Sequence, residues 1–220
     1  MTGQARPADR PLRLVTTSPP STAIGYAEFG EWYDRMRSEM FDPALEIAEA
    51  SLEQALAELL SDRDLTRVRS IDGRVKSKRR TWRKIQHPRY EDRVHTVDDI
   101  LSSIDDLVGL RITCINLRDI DMIQTALDAL SRDPGRGLWL DPTSVRDYVT
   151  DPKASGYRGW HVNLGIEVDG VPVTCELQIR TLLQDSWGEL THEETYSKDG
   201  ALPPWLMCSA PGCRISCRSS

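Results

Sequence analysis

Strict alternation of apolar and polar residues marks two neighbouring segments in the C-terminal half of the chain. Apolar residues occupy every second position from Trp160 to Val168, and again from Val171 to Ile179. This period of two is the spacing of side chains on one face of a β-strand. The dipeptide Asp169-Gly170 lies between the segments and favours a two-residue hairpin turn. The pattern therefore predicts an antiparallel hairpin with one buried face and one polar face.

The polar face of this hairpin carries a set of side chains suited to binding. In the predicted register Asn163 lies opposite Glu176 and His161 lies opposite Gln178, with Arg180 further along the second strand. Directly paired side chains are about 4.5–5.5 Å apart at Cβ, so these residues should share one surface. A metal-binding carboxylate beside a phosphate-binding cation favours an anion-handling site. An ordinary solvated sheet face is the alternative interpretation.

The remaining periodicity predicts helices and one further strand. Helical spacing of apolar residues predicts helices over 42–59, 78–85, 119–131 and 182–196. Asp42 is expected as the N-cap of the first, and Leu183, Trp187 and Leu190 are expected to face inward in the last. A nearly continuous apolar run over 107–115 predicts a central strand covered on both faces, and 134–142 is interpreted as a loop. This order is typical of a mixed α/β or α+β domain, and we assign it to the α+β class, with a mixed central β-sheet flanked by helices.

Length and composition indicate one domain. The chain has 220 residues, enough for a single core. We expect a flexible arm over 1–24, a folded domain over 25–198 and an unstructured tail over 199–220. No apolar run approaches the ~18 residues of a membrane span, and no secretory leader is expected. Cys114 and Cys175 sit in apolar strand patterns and are expected to be buried thiols. Together these features favour a cytoplasmic protein.

The charge is unevenly distributed. The formal net charge is -6, which argues against a general nucleic-acid binder. Yet seven of the eleven residues from Arg74 to Lys84 are Lys or Arg. A local basic cluster in an acidic protein favours a site for a compact polyanion such as a nucleotide. The run alone is equally compatible with a solvated basic face.

Two carboxylates at strand positions are candidate metal ligands. Asp106 stands at the start of the predicted 107–115 strand, and Glu176 lies on the hairpin. Magnesium usually takes one or two carboxylates and completes its shell with water and phosphate oxygens. Taken alone, Asp106 is more simply a residue at the start of a strand. Arg111 is a charge embedded in an apolar strand, and it therefore needs a partner or a ligand.

The loop over 147–158 leads into the hairpin and adds two candidates. Lys153 is suited to phosphate, and Tyr157 is suited to stacking on a base. Half-buried packing is the other interpretation of Tyr157.

Together these segments resemble the synthetase domain of the RelA/SpoT family, which makes the alarmone (p)ppGpp. The matching pieces occur in family order between residues 45 and 198, and they are Arg74-Val75-Lys76, Lys84, Asp106 to Arg111, Asp147-Tyr148, Lys153 to Arg158 with His161, Glu176 to Thr181, and Trp187 with His192. Each piece is weak by itself, but the ordered set is specific. The resemblance implies a small stand-alone synthetase with a nucleotidyltransferase-like α+β fold.

The resemblance implies a GTP/GDP diphosphokinase. Such a pyrophosphokinase moves the β,γ-diphosphate of ATP onto the ribose 3′-hydroxyl of GDP or GTP and releases AMP, with Mg²⁺ as cofactor. By family likeness the catalytic set is Arg74, Lys76, Asp106 and Glu176. Asp106 and Glu176 would carry the metal, and Glu176 would also accept the 3′-hydroxyl proton.

The resemblance also divides the binding residues into two groups. The ATP-binding group is Arg74, Lys76, Lys84 and Arg111. The acceptor-binding group is Tyr157, Lys153, His161, Gln178 and Arg180. Tyr157 would stack on the acceptor base, while Gln178 and Arg180 would support the site.

Three departures from the family pattern leave alternatives open. Arg80 and Gly159 stand where the family often has Ser. The long C-terminal helices through which small members tetramerise are expected to be missing, which leaves a homo-oligomer as an open alternative. One alternative is a toxic small synthetase that pyrophosphorylates the 3′ end of tRNA. Another is an inactive regulatory or RNA-binding module, which the presence of Asp106, Glu176 and the basic cluster disfavours.

Overall fold

Five strands form one mixed sheet in the computed structural model, which describes residues 24–130 and 137–197, except for the side chains of 191–197. The strands are β1 (Val68–Val75), β2 (Val108–Cys114), β3 (Leu138–Asp147), β4 (Trp160–Val168) and β5 (Val171–Thr181). Their order is β1-β2-β5-β4-β3, and β2 and β5 are the one parallel pair in this sheet. The predicted α+β class with a mixed central sheet is confirmed.

Seven α-helices accompany this sheet within the described residues. They are α1 (Tyr26–Met36), α2 (Asp42–Leu59), α3 (Asp62–Leu65), α4 (Lys78–Ile85), α5 (Asp99–Ser103), α6 (Leu117–Asp128) and α7 (Leu182–Ser197). A π-helical turn over Arg37–Phe41 joins α1 to α2, so Asp42 continues a helix and is not the N-cap we expected. The other starts match closely, except that α6 begins at Leu117. The preceding Asn116 forms a capping box with Asp119, which starts α6 earlier than predicted.

The core lies between the apolar face of the sheet and helices α2 and α6. Small buried residues of α2, including Ala44 and Ala48, bring this helix close to the sheet. The approach is so close that a Cβ on Gly73 of β1 would lie 2.5 Å from a methyl group of Leu45. None of the helices in the described ranges combines the length and apolar character that a membrane span needs.

The two strand cysteines belong to this core, as predicted. Cys114 and Cys175 are fully buried free thiols. Burial raises the pKa of each thiol to about 12, so both remain protonated at physiological pH.

The predicted hairpin is confirmed together with its register. β4 and β5 pair antiparallel, with Asn163 opposite Glu176 and His161 opposite Gln178. Asp169 and Gly170 both have positive φ, at 49° and 79°, which is the geometry of a tight turn that matches the twist of the strands.

The loop prediction for 134–142 is wrong from residue 138 onward, because β3 begins there. β3 is an edge strand whose pairing with β4 is interrupted between Asp141 and Arg146. Pro142 falls in this bulge, where its missing N–H removes no ladder hydrogen bond. Residues 134–136 lie outside the described part of the chain. So do the predicted arm, apart from the buried Ile24, and the predicted tail over 199–220.

The orientation predicted for α7 is wrong at two positions. Leu183 is 83% exposed and Leu190 is 60% exposed, whereas Trp187 is half-buried. The sheet surface beneath this helix carries arginines, and α7 turns Asp185 and Glu189 toward them instead of its leucines. Charge pairing, not apolar burial, therefore sets the rotation of α7.

Substitution of Gly165 tests the packing on the outer strands. Trp139 is paired with Gly165, and a Cβ at this glycine would lie 2.0 Å from the indole ring. Gly165→Ala should therefore destabilise the protein by about 1–3 kcal/mol through overpacking. The control is Gly30→Ala within α1, where no atom lies within 4 Å and alanine should be neutral or stabilising by up to ~1 kcal/mol. Urea unfolding measures both, and equal stability of the two variants would contradict the expected clash.

Candidate functional site

Two rows of polar positions cross the outer face of the sheet. The register places these residues side by side in the first row: Arg74, Gly109, Glu176, Asn163 and Asp141. The second row is Asp72, Arg111, Gln178, His161 and Arg146. Period-two alternation of the strands puts both rows on the face opposite the core.

An open cavity of about 170 Å³ lies over the β1, β2 and β5 part of these rows. Its lining residues are Asp72, Gly73, Arg74, Asp106, Gly109, Leu110, Arg111, Glu176 and Gln178. Gly109 stands between Arg74 and Glu176, and no side chain fills the space above it. This face of β2 is therefore open at Gly109, and the expectation that the strand is covered on both faces is wrong there.

Two lysines hold Asp106 at the edge of the cavity. Lys76 Nζ lies 2.8 Å from Oδ2 and Lys84 Nζ lies 2.6 Å from Oδ1. Burial alone would raise the pKa of Asp106, but the two ammonium groups more than offset this and lower it. The carboxylate is therefore ionised at neutral pH. The basic segment contributes the lysines from two elements, since Lys76 follows β1 and Lys84 lies on α4.

Helix α1 braces this basic segment. The Tyr33 hydroxyl donates to the backbone carbonyl of Lys76, and Asp34 pairs with Lys78. Trp82 packs against Phe29, with ring centroids 5.0 Å apart. These contacts were not predicted from the sequence, because α1 precedes the motifs by about forty residues.

Glu176 receives hydrogen bonds on both carboxylate oxygens. His161 Nδ1 lies 3.3 Å from Oε1, and Gln178 Nε2 lies 2.6 Å from Oε2. Arg146 Nη2 is 3.4 Å from Oε1. Burial would raise the pKa of Glu176, but these partners more than compensate and lower it to about 2. Burial also lowers the pKa of His161, and a neutral imidazole donates from Nδ1 to the ionised Glu176.

The loop before β4 folds over His161. The Tyr157 hydroxyl lies 2.6 Å from His161 Nε2, and Tyr148 packs edge-on against the same imidazole. Lys153 Nζ is 4.9 Å from the centre of the Tyr157 ring, as is the Arg180 guanidinium carbon. A base that stacks on Tyr157 would therefore have to share or displace a cation already resting on the ring.

Helix α7 supplies the anionic partners of two arginines. Arg111 Nη1 lies 2.8 Å from Asp185 and 3.1 Å from Glu189. Arg180 Nη1 lies 3.5 Å from the same Asp185 oxygen. Arg74, in contrast, makes no ion pair with any described residue and is exposed beside the cavity.

The structure places the predicted residues in two adjoining groups. The first surrounds the cavity: Arg74, Lys76, Lys84, Asp106 and Arg111. The second lies beneath the loop: Lys153, Tyr157, His161 and Arg180. Glu176 and Gln178 belong to both groups, since they line the cavity and bond to the second group. The side chain of His192 lies outside the described side chains.

Three residues of this neighbourhood were missed or misjudged. Arg146 contacts Glu176 and Asn163, but its strand was interpreted partly as loop, and the bulge breaks the alternation that would have revealed it. Asp185 and Glu189 were assigned no role from the sequence, and they lie on the face of α7 that pairs with Arg111. Only the tertiary arrangement shows this pairing.

The donor set of the cavity suits a hard cation that arrives with phosphate. Asp106 and Glu176 are both ionised, and both line the cavity. Among the described side chains, no group of three or more His, Cys, Asp or Glu could by itself hold a metal ion. Two carboxylates without a third protein ligand fit Mg²⁺, which keeps several waters and shares phosphate oxygens.

Comparison with known proteins agrees with this geometry. A family model described as a region found in RelA/SpoT proteins matches residues 73–201. The chain is similar to GTP pyrophosphokinase YjbM of Bacillus subtilis, with 32% identity over 109 residues, covering 47% of either chain. It is also similar to GTP pyrophosphokinase YwaC of the same organism, with 32% identity over 117 residues, covering 50% of this chain and 51% of that protein. The chain thus spans about half the length of the curated relatives it matches.

Solved structures show the same fold. Small alarmone synthetase 1 from Bacillus subtilis, bound to its product pppGpp, superimposes with a TM-score of 0.64 at 24% identity, covering 80% of this chain and 86% of that chain. A GTP pyrophosphokinase family protein from Streptococcus pneumoniae gives a TM-score of 0.64 at 23% identity, covering 80% and 82%.

The hydrogen bonds to Glu176 predict a pH dependence of stability. Its folded pKa of about 2 lies below the usual unfolded value, so its contribution is fully present above pH ~5 and is lost as pH falls toward 2. The full contribution is roughly 3 kcal/mol, of which about 2 kcal/mol should disappear between pH 5 and pH 3. Glu176→Gln carries no titrating group there, so its stability should fall less over this range. Urea unfolding at a series of pH values measures the difference.

A matched control separates this effect from general acid destabilisation. Glu167→Gln removes an exposed carboxylate from the same hairpin and should keep the pH dependence of the wild type. If Glu176→Gln and Glu167→Gln follow the same curve, the bonds to Glu176 do not stabilise its ionised form as described.

Proposed function

The chain belongs to the RelA/SpoT family, and we propose from this membership that it is a pyrophosphokinase of the alarmone synthetase type. It would transfer the β,γ-diphosphate of ATP to the ribose 3′-hydroxyl of GDP or GTP, with release of AMP. The relatives named above carry the name GTP pyrophosphokinase, which supports the same class of reaction.

One observation carries the proposal: two ionised carboxylates and two arginines line one cavity. Asp106 and Glu176 are the carboxylates, while Arg74 and Arg111 supply positive charge beside them. Transfer of a phosphoryl-type group depends chiefly on positioning and on neutralisation of phosphate charge. A cavity with these groups is suited to a polyphosphate and a metal ion.

We assign the donor ATP to the β1 and α4 side of the cavity. Arg74 has no described anionic partner, and Arg111 uses only Nη1 for the α7 carboxylates, so both present N–H groups to phosphate oxygens. Lys76 and Lys84 share Asp106 and can turn toward a phosphate that arrives beside it.

We assign the acceptor to the loop side. Tyr157 is half-buried and carries Lys153 over its ring, so a base that displaced this ammonium group would stack on the ring with the cation close to its phosphates. His161 and Gln178 lie between this ring and Glu176, so an acceptor stacked here would have its ribose near Glu176.

Asp106 and Glu176 would hold Mg²⁺, which neutralises phosphate charge when bound. Glu176 is ionised at every working pH, as a metal ligand and a proton acceptor both require. A pKa of about 2 makes it a weak base. A weak base suffices here, because in a loose transition state the attacking hydroxyl gives up its proton only when the new P–O bond is largely formed.

The tRNA 3′ end is the second candidate acceptor. It is favoured by α4, where Arg79 and Arg83 are exposed, do not line the cavity and are accessible to a larger polyanion. The net charge of -6 disfavours it.

Labelled ATP tests the function directly. The purified protein is incubated with γ-labelled ATP, Mg²⁺ and GDP, GTP or deacylated tRNA. We expect label on GDP or GTP and stoichiometric AMP. Glu176→Gln should lower the rate at least ~100-fold, because it removes both a proton acceptor and a metal ligand.

Each other outcome has a defined meaning. ADP as the sole nucleotide product would indicate transfer of a single phosphoryl group and would refute the proposal. Label on tRNA alone would establish the second candidate. Transfer to none of the three acceptors would favour an inactive binding module.

Two substitutions separate the donor side from the acceptor side. Tyr157→Ala should weaken acceptor binding by about 5- to 150-fold, the equivalent of ~1–3 kcal/mol of stacking, and should leave ATP affinity nearly unchanged. Lys84→Ala should weaken ATP binding, because it removes a charge-assisted contact with a phosphate group. Calorimetry of both ligands with both variants makes the comparison. Weaker ATP binding by Tyr157→Ala, with every acceptor unaffected, would show that the two sides are assigned wrongly.

A further inference from the structure

Glu176 and four neighbouring side chains form a closed ring of hydrogen bonds. The short route runs from Arg180 Nη2 to Gln178 Oε1 at 2.6 Å, and from Gln178 Nε2 to Glu176 Oε2 at 2.6 Å. The long route runs from Arg180 Nε to the Tyr157 hydroxyl at 3.0 Å, then to His161 Nε2 at 2.6 Å, and from His161 Nδ1 to Glu176 Oε1 at 3.3 Å.

The chemistry of the two end groups fixes the direction of every bond in the ring. A guanidinium can only donate and an ionised carboxylate can only accept. Tyr157 therefore accepts from Arg180 and donates to His161 Nε2, and His161 donates from Nδ1. The amide of Gln178 is oriented in the same way, with its oxygen toward Arg180 and its nitrogen toward Glu176. Each oxygen of Glu176 thus receives a donor whose own orientation is set by Arg180.

Arg180 itself is enclosed. Its side chain is 4% exposed, and it does not line the cavity. Its third nitrogen, Nη1, faces Asp185 on α7, and a Cβ on Gly188 of the same helix would lie 3.0 Å from it. All three guanidinium nitrogens are therefore directed at protein groups.

We infer that Arg180 is a positioning residue that orients the Glu176 carboxylate through two hydrogen-bonded routes, one of which passes through the acceptor-stacking Tyr157. This inference rests on the proposed function for the role of Glu176 and Tyr157. It removes Arg180 from the predicted acceptor-binding group and assigns it the role of orienting Glu176. It also links the two halves of the site, because the side chain that would stack on the acceptor base also holds the histidine that orients the carboxylate.

The spacing of strand β5 explains why an arginine is required. Glu176, Gln178 and Arg180 follow one another on one face of the strand. Gln178 therefore lies between the other two side chains, and Arg180 does not reach Glu176 directly. A planar fork with several N–H groups can serve Gln178 and Tyr157 at once, whereas a lysine ammonium is a single point charge. Arg180→Lys should therefore keep the positive charge but no longer orient Gln178 and Tyr157 at the same time.

Steady-state kinetics of two variants provide the first test. In Arg180→Lys, kcat should fall by about 100-fold, as expected for a misoriented reacting group, while KM for ATP and for the acceptor stays within about threefold. In Arg180→Ala, added guanidinium ion should restore part of the lost kcat by entering the vacated space. Added guanidinium ion should not restore the activity of Lys84→Ala. The control is Arg118→Gln, which replaces an exposed arginine of α6 that contacts no ring residue within the described part of the chain, and it should behave as the wild type.

Imidazole NMR provides a readout that does not depend on activity. Two-bond ¹H–¹⁵N spectra at a fixed pH of about 8 distinguish histidine tautomers, and comparison with His161→Gln assigns the His161 signals. The wild type should show the Nδ1–H tautomer, and Arg180→Lys should show a mixture.

Tyr157→Phe provides a second variant in case loss of the buried guanidinium prevents folding. It removes only the hydroxyl and keeps the ring. We expect acceptor KM within about threefold of the wild type, a lower kcat and an altered His161 spectrum. Unchanged kcat together with an unchanged spectrum overturns the long route.

The remaining outcomes also decide the question. A rise of tenfold or more in KM with normal kcat for Arg180→Lys makes Arg180 a substrate ligand and overturns the inference, as does a wild-type His161 in the Nε2–H form. If the wild type transfers diphosphate to no acceptor, the proposed function fails. The NMR comparison still tests the ring in that case, so the two failures are distinguishable.

Discussion

Strand β5 is hydrogen-bonded along both of its edges, to β2 in parallel and to β4 antiparallel, and the site depends on this double pairing. Two neighbours fix the backbone of the strand, so Glu176, Gln178 and Arg180 stand at set intervals on the outer face. The same pairing places the side chains of Cys175 and Leu177 in the core. A shift of one residue would exchange the two faces, so core burial and site geometry are a single constraint.

Charged groups of both signs lie close together around the cavity, and the fold pairs most of them locally. Asp106 is shared by two lysines, and α7 contributes Asp185 and Glu189 to Arg111. Arg74 alone among these cavity cations makes no ion pair with a described residue. An incoming polyphosphate therefore meets cations that are already oriented, and little reorganisation is needed when the phosphates arrive.

The sequence predicted the parts of the structure that depend on local rules. Period-two alternation and the Asp-Gly turn predicted the hairpin and its register, and hence the meeting of His161 with Glu176 and Gln178. The failures arose where tertiary contacts override local pattern. A bulge around Pro142 disguised an edge strand and with it Arg146, and ion pairs with the sheet rotated α7 so that its leucines face outward. The assigned roles in binding and catalysis remain predictions.

The similarity to the family begins at residue 73, but the folding unit does not. Helix α2, which covers the apolar face of the sheet, and helix α1, which braces the basic segment, both precede that residue. A fragment cut at the boundary of sequence similarity would keep every matching motif and lose one layer of its core. In transplanting or fusing this domain, the boundary should therefore be drawn by packing, at the start of α1.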